Sequence, residues 1–240
     1  NFAFGGVLFG EQTKLHSGAS YALVGGGIET STNGYARQQI DGDYSISWGR
    51  GINLASSSDY TAAFGRLHEC TGGTYSFLAG EDHDAVYNKT HFGAIGKTHK
   101  IEGNYSFAAG LSNNPIGDGA ICLGASLKTP LFLENGSYVW DNYSVVVGAH
   151  NDATHKYITA SDNSTWVEDH RFVVGTGTST SAKANGFIVA VSDADFSGII
   201  MPALAASTSH SSGSVAKAAG VPVGGLYHTD GVVKVVLAGD

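Results

Sequence analysis

Thr74-Tyr75-Ser76-Phe77-Leu78-Ala79-Gly80 is one copy of the pattern that decides the architecture of this chain. The same order recurs at residues 44–49, 60–65, 105–110 and 143–148: an aromatic, a Ser or Thr, and a glycine five residues after the aromatic. Histidine stands in the aromatic's place at His91 and His170, and further copies end at Gly26 and Gly124. A turn former precedes the aromatic, as at Asp43, Asp59, Asn104 and Asn142. From Gly49 to Gly124 the glycines are 14 to 16 residues apart. A repeat that short has no room for a helix and a strand, but it fits one coil of two short strands and two tight turns. Gly, Asp and Asn before each strand are expected to supply the positive-φ conformations those turns need.

Inside each copy the side-chain sizes alternate, the period of a strand. Counting back from the glycine, positions five, three and one are large or apolar, as in Tyr60, Ala62, Phe64 and Tyr105, Phe107, Ala109. Positions four and two are small, as in Ser45, Ser47 and Ala120, Cys122. The bulky positions compensate one another: Ala62 accompanies Phe64, Phe77 accompanies Ala79, and Gly93 accompanies Ile95. Such compensation is what a close-packed interior requires, so the bulky face is expected to be packed inside. The small face is then expected to let strands of separate subunits approach. A coil of ~15 residues has little interior of its own, which points to oligomerisation. The expected fold class is all-β, a β-roll or β-solenoid over residues 1–198. A separate C-terminal cap is expected at 199–240.

The repeat is interrupted at residues 125–142 and 149–169, which read as coils with extended loops. Trp140, Tyr157 and Trp166 lie there, outside the repeat frame, and are not needed to fill a coil. Exposed aromatics stack on sugar rings, and loops on rigid scaffolds carry recognition, so these three are candidate receptor-binding residues. The competing expectation is that they pack over a subunit junction. Tyr35-Ala36-Arg37 reads as a degenerate coil. In the cap, residues 207–214 form a Ser-rich connector and 214–219 a short helix capped by Ser. Asp230-Gly231 between two apolar runs signals a hairpin with its second strand at 232–237.

Composition narrows the function classes. The chain has 240 residues, 34 of them Gly, with 14% charged residues and a net charge of −8. Its 42% hydrophobic content is too high for a disordered chain. Lys and Arg are scattered, so no nucleic-acid surface is expected. No apolar run approaches the ~18 residues of a membrane span. Cys70 and Cys122 lack metal-ligand spacing and are expected to be buried free thiols. His83, His91 and His99 stand near Glu81, Asp82 and Asp84, yet no fixed metal motif appears, so no metal is expected. A three-fold axis gathering one histidine from each chain is the arrangement that spacing within one chain would not reveal. The carboxylates considered for glycan cleavage are Glu81, Asp82, Asp84, Glu134, Asp141, Asp152 and Glu168. Most of them sit at turn positions, where Asp bonds to backbone. No G-x-S-x-G or phosphate-binding glycine loop is present. No enzyme activity, catalytic residue or cofactor is therefore expected. Asn1 stands first and Met201 is the only methionine, so an upstream region is expected to be missing.

Two features resemble known families. The Ser/Thr-x-x-x-Gly coils are similar to the left-handed β-roll head repeats of trimeric autotransporter adhesins. The 170–177 segment, His-Arg-Phe-Val-Val-Gly-Thr-Gly, and the ending that begins Gly220-Val221-Pro222-Val223-Gly224-Gly225-Leu226-Tyr227 look like bacteriophage tail-fibre and virion-spike proteins. The heptad stalk and membrane barrel of a bacterial adhesin do not follow in this chain, which favours the phage resemblance. That resemblance implies a homotrimer on a virion surface. Its partners would be other virion structural proteins, reached through an upstream region, and a host surface glycan or protein. It implies a receptor-binding tail fibre, with a capsid decoration fibre or a bacterial adhesin head as alternatives. It implies no catalytic residues.

Overall fold

The repeated glycines stand in a single row. In the computed structural model, Gly10, Gly26, Gly49, Gly65, Gly80, Gly96, Gly110, Gly124, Gly148 and Gly175 are paired in register across adjacent parallel strands. The structure describes residues 5–10, 13–15, 20–27, 38–55, 57–85, 89–129, 131–134, 137–140, 142–151, 153, 158–159, 165–166, 168–192, 197–201, 204, 208–230 and 232–239. Tyr35-Ala36-Arg37 lie outside these residues.

The strands bearing the glycines form a broad twelve-stranded sheet. Its parallel part begins at Val7–Gly10 and continues through strands such as Ile46–Arg50, Ala62–Arg66, Phe77–Glu81 and Gly93–Lys97 to Glu168–Thr176. The last two strands, Asn185–Ser192 and Ser197–Ile200, pair antiparallel and close that end. A thin second sheet holds six short parallel strands: Thr13–Leu15, Gln38–Ile40, Asn53–Leu54, Glu69–Cys70, Asp84–Ala85 and Lys100–Ile101. Up to Ile101 each coil thus contributes one broad and one short strand, the two-strand coil expected from the spacing, and beyond it only the isolated bridge Asn114–Lys128 continues the thin side. The chain is a β-solenoid.

The two faces are reversed from the expectation. The small residues point into the coil: Ser47, Ala63, Ala94, Ala108 and Cys122 are fully buried. Ala63, Ala94 and Ala108 meet Leu54, Cys70, Ala85 and Ile101 of the thin sheet in one core, and Cys122 belongs to a second with Leu127, Val146 and Val173. The bulky residues Trp48, Phe64, Phe77, Ile95 and Leu123 point outward and are exposed. The two walls of so tight a coil lie close together, so small side chains of the broad strands pack against the thin sheet. Alternation fixes that two faces exist and leaves open which of them is inside. Buried hydroxyls are satisfied by carbonyls of the return turn: Ser45 Oγ donates to Ser58 O at 2.9 Å and Thr61 Oγ1 to Gly73 O at 2.9 Å.

The corners also differ from the expectation. The residue in the left-handed conformation is the aromatic itself, at Tyr21, Tyr44, Tyr60, Tyr75, His91, Tyr105 and Tyr143, with φ of 53–57°. The Asp and Asn before it accept hydrogen bonds from the preceding coil: Asp43 N–H donates to Asp59 Oδ1 at 2.7 Å, and Asn104 N–H to Asp118 Oδ1 at 2.8 Å. A second corner follows each broad strand, with positive φ at Leu67, Asp82, Thr98, Ser112 and Ser126. The glycine row has a steric cause. A Cβ on Gly65 would lie 1.9 Å from the carbonyl oxygen of Gly80, and one on Gly80 equally close to that of Gly96.

Both long intervals contain antiparallel hairpins, Leu131–Glu134 with Ser137–Trp140 and Ile158–Thr159 with Thr165–Trp166. In the C-terminal segment a helix spans Gly213–Ala218, one residue earlier than expected. Ser212 caps it, accepting from Val215 N–H at 3.3 Å. The expected hairpin forms from Leu226–Thr229 and Val232–Val235, turning through Asp230 at φ 49°. Ala216, Tyr227 and Val236 make a small core there.

Candidate functional site

The outward face of the broad sheet presents a run of exposed apolar side chains, among them Trp48, Phe64, Phe77, Ile95 and Leu123. Two rows run along it. One contains Ile46, Ala62, Phe77, Gly93, Phe107 and Ile121, and the other Trp48, Phe64, Ala79, Ile95, Ala109 and Leu123. Here the compensation of volumes is visible as geometry. The Trp48 ring lies over Gly25, where a Cβ would sit 2.2 Å from its Cε3. Phe107 covers Gly93 in the same way, at 2.8 Å. Phe64 and Phe77 meet at 6.0 Å in a tilted pair. Large rings fold over small neighbours, so the surface is levelled rather than knobbed. Monomeric soluble proteins rarely expose continuous apolar surface of this kind.

The face has distinct margins. On one side the corner aromatics form a stacked column, Tyr21–Tyr44–Tyr60–Tyr75–His91–Tyr105, with centroids 4.8–5.1 Å apart. The rings shield one another's faces and present their edges to solvent. Partial desolvation and the neighbouring tyrosines push the Tyr60 phenol above its ordinary value. On the other side, after the glycine row, Glu81 is paired with both Arg66 and Lys97. Hydrogen bonds from those two cations hold its carboxyl below the usual range. Arg50 stands in the same row beside Arg66, so this margin carries three cations to one carboxylate and is net positive.

The histidines fall into two groups that the sequence did not separate. His91 belongs to the exposed aromatic stack. His68, His83 and His99 are buried in the interior and stack on each other at 4.8 and 5.0 Å. Their burial inside the coil keeps these three from the surface that a neighbouring chain would meet. Among the described residues no cluster of His, Cys, Asp or Glu is placed to hold a metal. Cys70 and Cys122 are free and buried, and burial pushes the Cys122 thiol up to about 12.

Of the three candidate receptor-binding residues, Trp140 ends one strand of the first hairpin, opposite Leu131, and Trp166 pairs with Ile158 in the second. Tyr157 lies outside the described residues. Among the carboxylate candidates, Asp141 and Asp152 also lie outside them. Glu81 is engaged by its two cations, Asp82 occupies a corner, and Asp84 sits on the outer side of the thin sheet. The stacked column and the second corner were missed by sequence reasoning. The column was signalled by the spacing of its aromatics; the second corner shares no residue type and gave no signal. No family model matches the chain, and no curated protein is similar to it.

Proposed function

We propose that this chain is a structural segment of a homotrimeric virion fibre of the bacteriophage type, whose extended hairpins contact the bacterial host surface. The observation that carries this reading is the levelled apolar face of the roll. Its large members, such as Phe64, Phe77, Ile95 and Leu123, are worth ~1.5–3 kcal/mol each when buried, and the single chain leaves them exposed. Copies of the same chain are its natural cover, because a flat, nearly uncharged strip is complementary to itself. The threefold state follows from the likeness to adhesin head repeats. The C-terminal hairpin supports self-assembly independently: Leu226, Val233 and Val235 lie on one exposed face of a two-stranded unit that is marginal alone.

The test is the mass of the purified protein by light scattering. The expected value is three times the 24.8 kDa chain, falling to one chain when Phe64 and Phe77 are both replaced by Asp. A wild-type monomer with a soluble, folded roll would overturn the proposal. Binding of the purified trimer to bacterial cells, weakened by Trp140→Ala and Trp166→Ala, supports the host-contacting role. Binding to capsids and not to cells favours the decoration-fibre alternative.

A further inference from the structure

The interior column of histidines has a bonding pattern with a consequence beyond packing. Nε2 of His68, His83 and His99 lies 2.9, 3.0 and 3.0 Å from the carbonyl oxygens of Phe64, Ala79 and Ile95, each four residues earlier. Those oxygens only accept, so Nε2 carries the proton and donates. Nδ1 is then bare, and it accepts the backbone N–H of the equivalent residue in the next coil. His83 N–H donates to His68 Nδ1 at 3.4 Å, His99 N–H to His83 Nδ1 at 3.4 Å, and Asn113 N–H to His99 Nδ1 at 3.1 Å. Each neutral imidazole therefore ties its own coil to the next one. A second proton at Nδ1 would turn the acceptor into a donor facing a donor, in the buried interior.

The next residue in the column shows how the same joint is made without a titratable group. Asn113 Nδ2 donates to Ala109 O at 2.7 Å, again four residues earlier, and Oδ1 accepts from Leu127 N–H at 3.0 Å. Asparagine thus makes both bonds in one fixed protonation state.

We propose that the His68–His83–His99 column is an acid-operated fastener, which holds three successive coils together at neutral pH and releases them when its imidazoles are protonated. The surroundings favour this behaviour. Burial disfavours charge on all three and holds His83 at about 4. Asp82 pulls His68 the other way, by less than burial pushes it. Among the described residues, the ionisable groups acting on His83 are its two stacked neighbours, which oppose its charge further. The nearby interior thiol of Cys70 is raised by burial and stays neutral. Glu69, Asp84 and Lys100 of the thin sheet point outward. The sign follows directly. Folded values below the unfolded value of ~6.5 mean that the stabilisation is complete above that pH and is lost as pH falls towards the folded values.

Hydrogen exchange across residues 62–101, corrected for intrinsic rates, tests this. Between pH 6.5 and the folded values, each histidine that gains a proton on opening raises the opening constant up to about tenfold per pH unit. The three together raise it up to about 1000-fold per unit. The variant carrying His68→Asn, His83→Asn and His99→Asn is expected to stay closed over the same range. Equal acid sensitivity in wild type and variant would overturn the proposal. If the variant fails to fold, the imidazole resonances of the wild type decide: values well below 6.5 support the fastener, and titration near 6.5 overturns it. Neither readout depends on the chain being a fibre.

Discussion

At the scale of single residues, the row of glycines is the strictest requirement of the fold. Strands 14 to 16 residues apart stack so closely at this row that the carbonyl of the next coil occupies the place of a side chain. Gly80→Ala is therefore expected to cost more than about 4 kcal/mol or to abolish folding, the range of backbone clashes that cannot relax. Gly220 is the control. It also has a positive φ, of 96°, but nothing lies within 4 Å of its missing Cβ, so Gly220→Ala should cost only the conformational strain of about 1–2 kcal/mol. Denaturant titration of both variants separates steric from conformational demand. The row was legible in the sequence because its cause admits a single residue type. The left-handed corners were not. A tyrosine at positive φ runs against local preference by about 1–2 kcal/mol, and what offsets it is contact with the tyrosines of adjacent coils, each pair worth ~0.5–1.5 kcal/mol. That contact exists only once the coils are stacked. Gly5 and Gly119 hold the same corner position without a ring, at φ 73° and 69°.

At the scale of strands and coils, alternation made the strands readable and their orientation unreadable. Ser47, Ala63 and Ala108 look like an approach surface and are in fact the filling of a narrow tube. Phe64 and Phe77 look like core and are in fact the outside. The volume compensation was correctly seen, but it serves a flat exterior. The same interior controls the chemistry of the cysteines. Cys122 has its thiol raised to about 12 and Cys70 is shifted the same way by burial. The native protein at pH 8 should leave both thiols unreacted with a disulfide reagent. In denaturant both should react at the rate of a free cysteine, at least about 100-fold faster. A fast thiol in the native protein would mean that a coil is open. The hairpin through Asp230 was legible because Asp-Gly between apolar runs is a local signal. Trp140 and Trp166 were placed correctly outside the repeat, while their pairing inside hairpins depended on partners several residues away.

At the scale of the whole molecule, each coil touches only its neighbours, so stability is a sum over coils and the junctions between them. The coils are interchangeable at matched positions. Deleting residues 60–74 joins Asp59 to Tyr75, so that one turn-former–aromatic junction replaces two. The shortened chain is expected to fold, with a roll shorter by one strand spacing, about 4.8 Å. It should melt somewhat lower, having lost one set of junctions. Deleting residues 60–66 instead leaves half a coil and should unfold the molecule. Thermal melting and small-angle scattering distinguish the two.

The stacked corner rings give the molecule an optical property as well as a mechanical one. Five tyrosines and a histidine lie face to face at 4.8–5.1 Å, with interplanar angles of 5–21°. Chromophores that close and that nearly parallel share their electronic excitations. The ultraviolet dichroism of these five tyrosines therefore belongs to the column and not to separate rings. A slip of one coil against the next would interrupt the shared excitation at that point, so the intact protein carries its own spectroscopic gauge of register along its length.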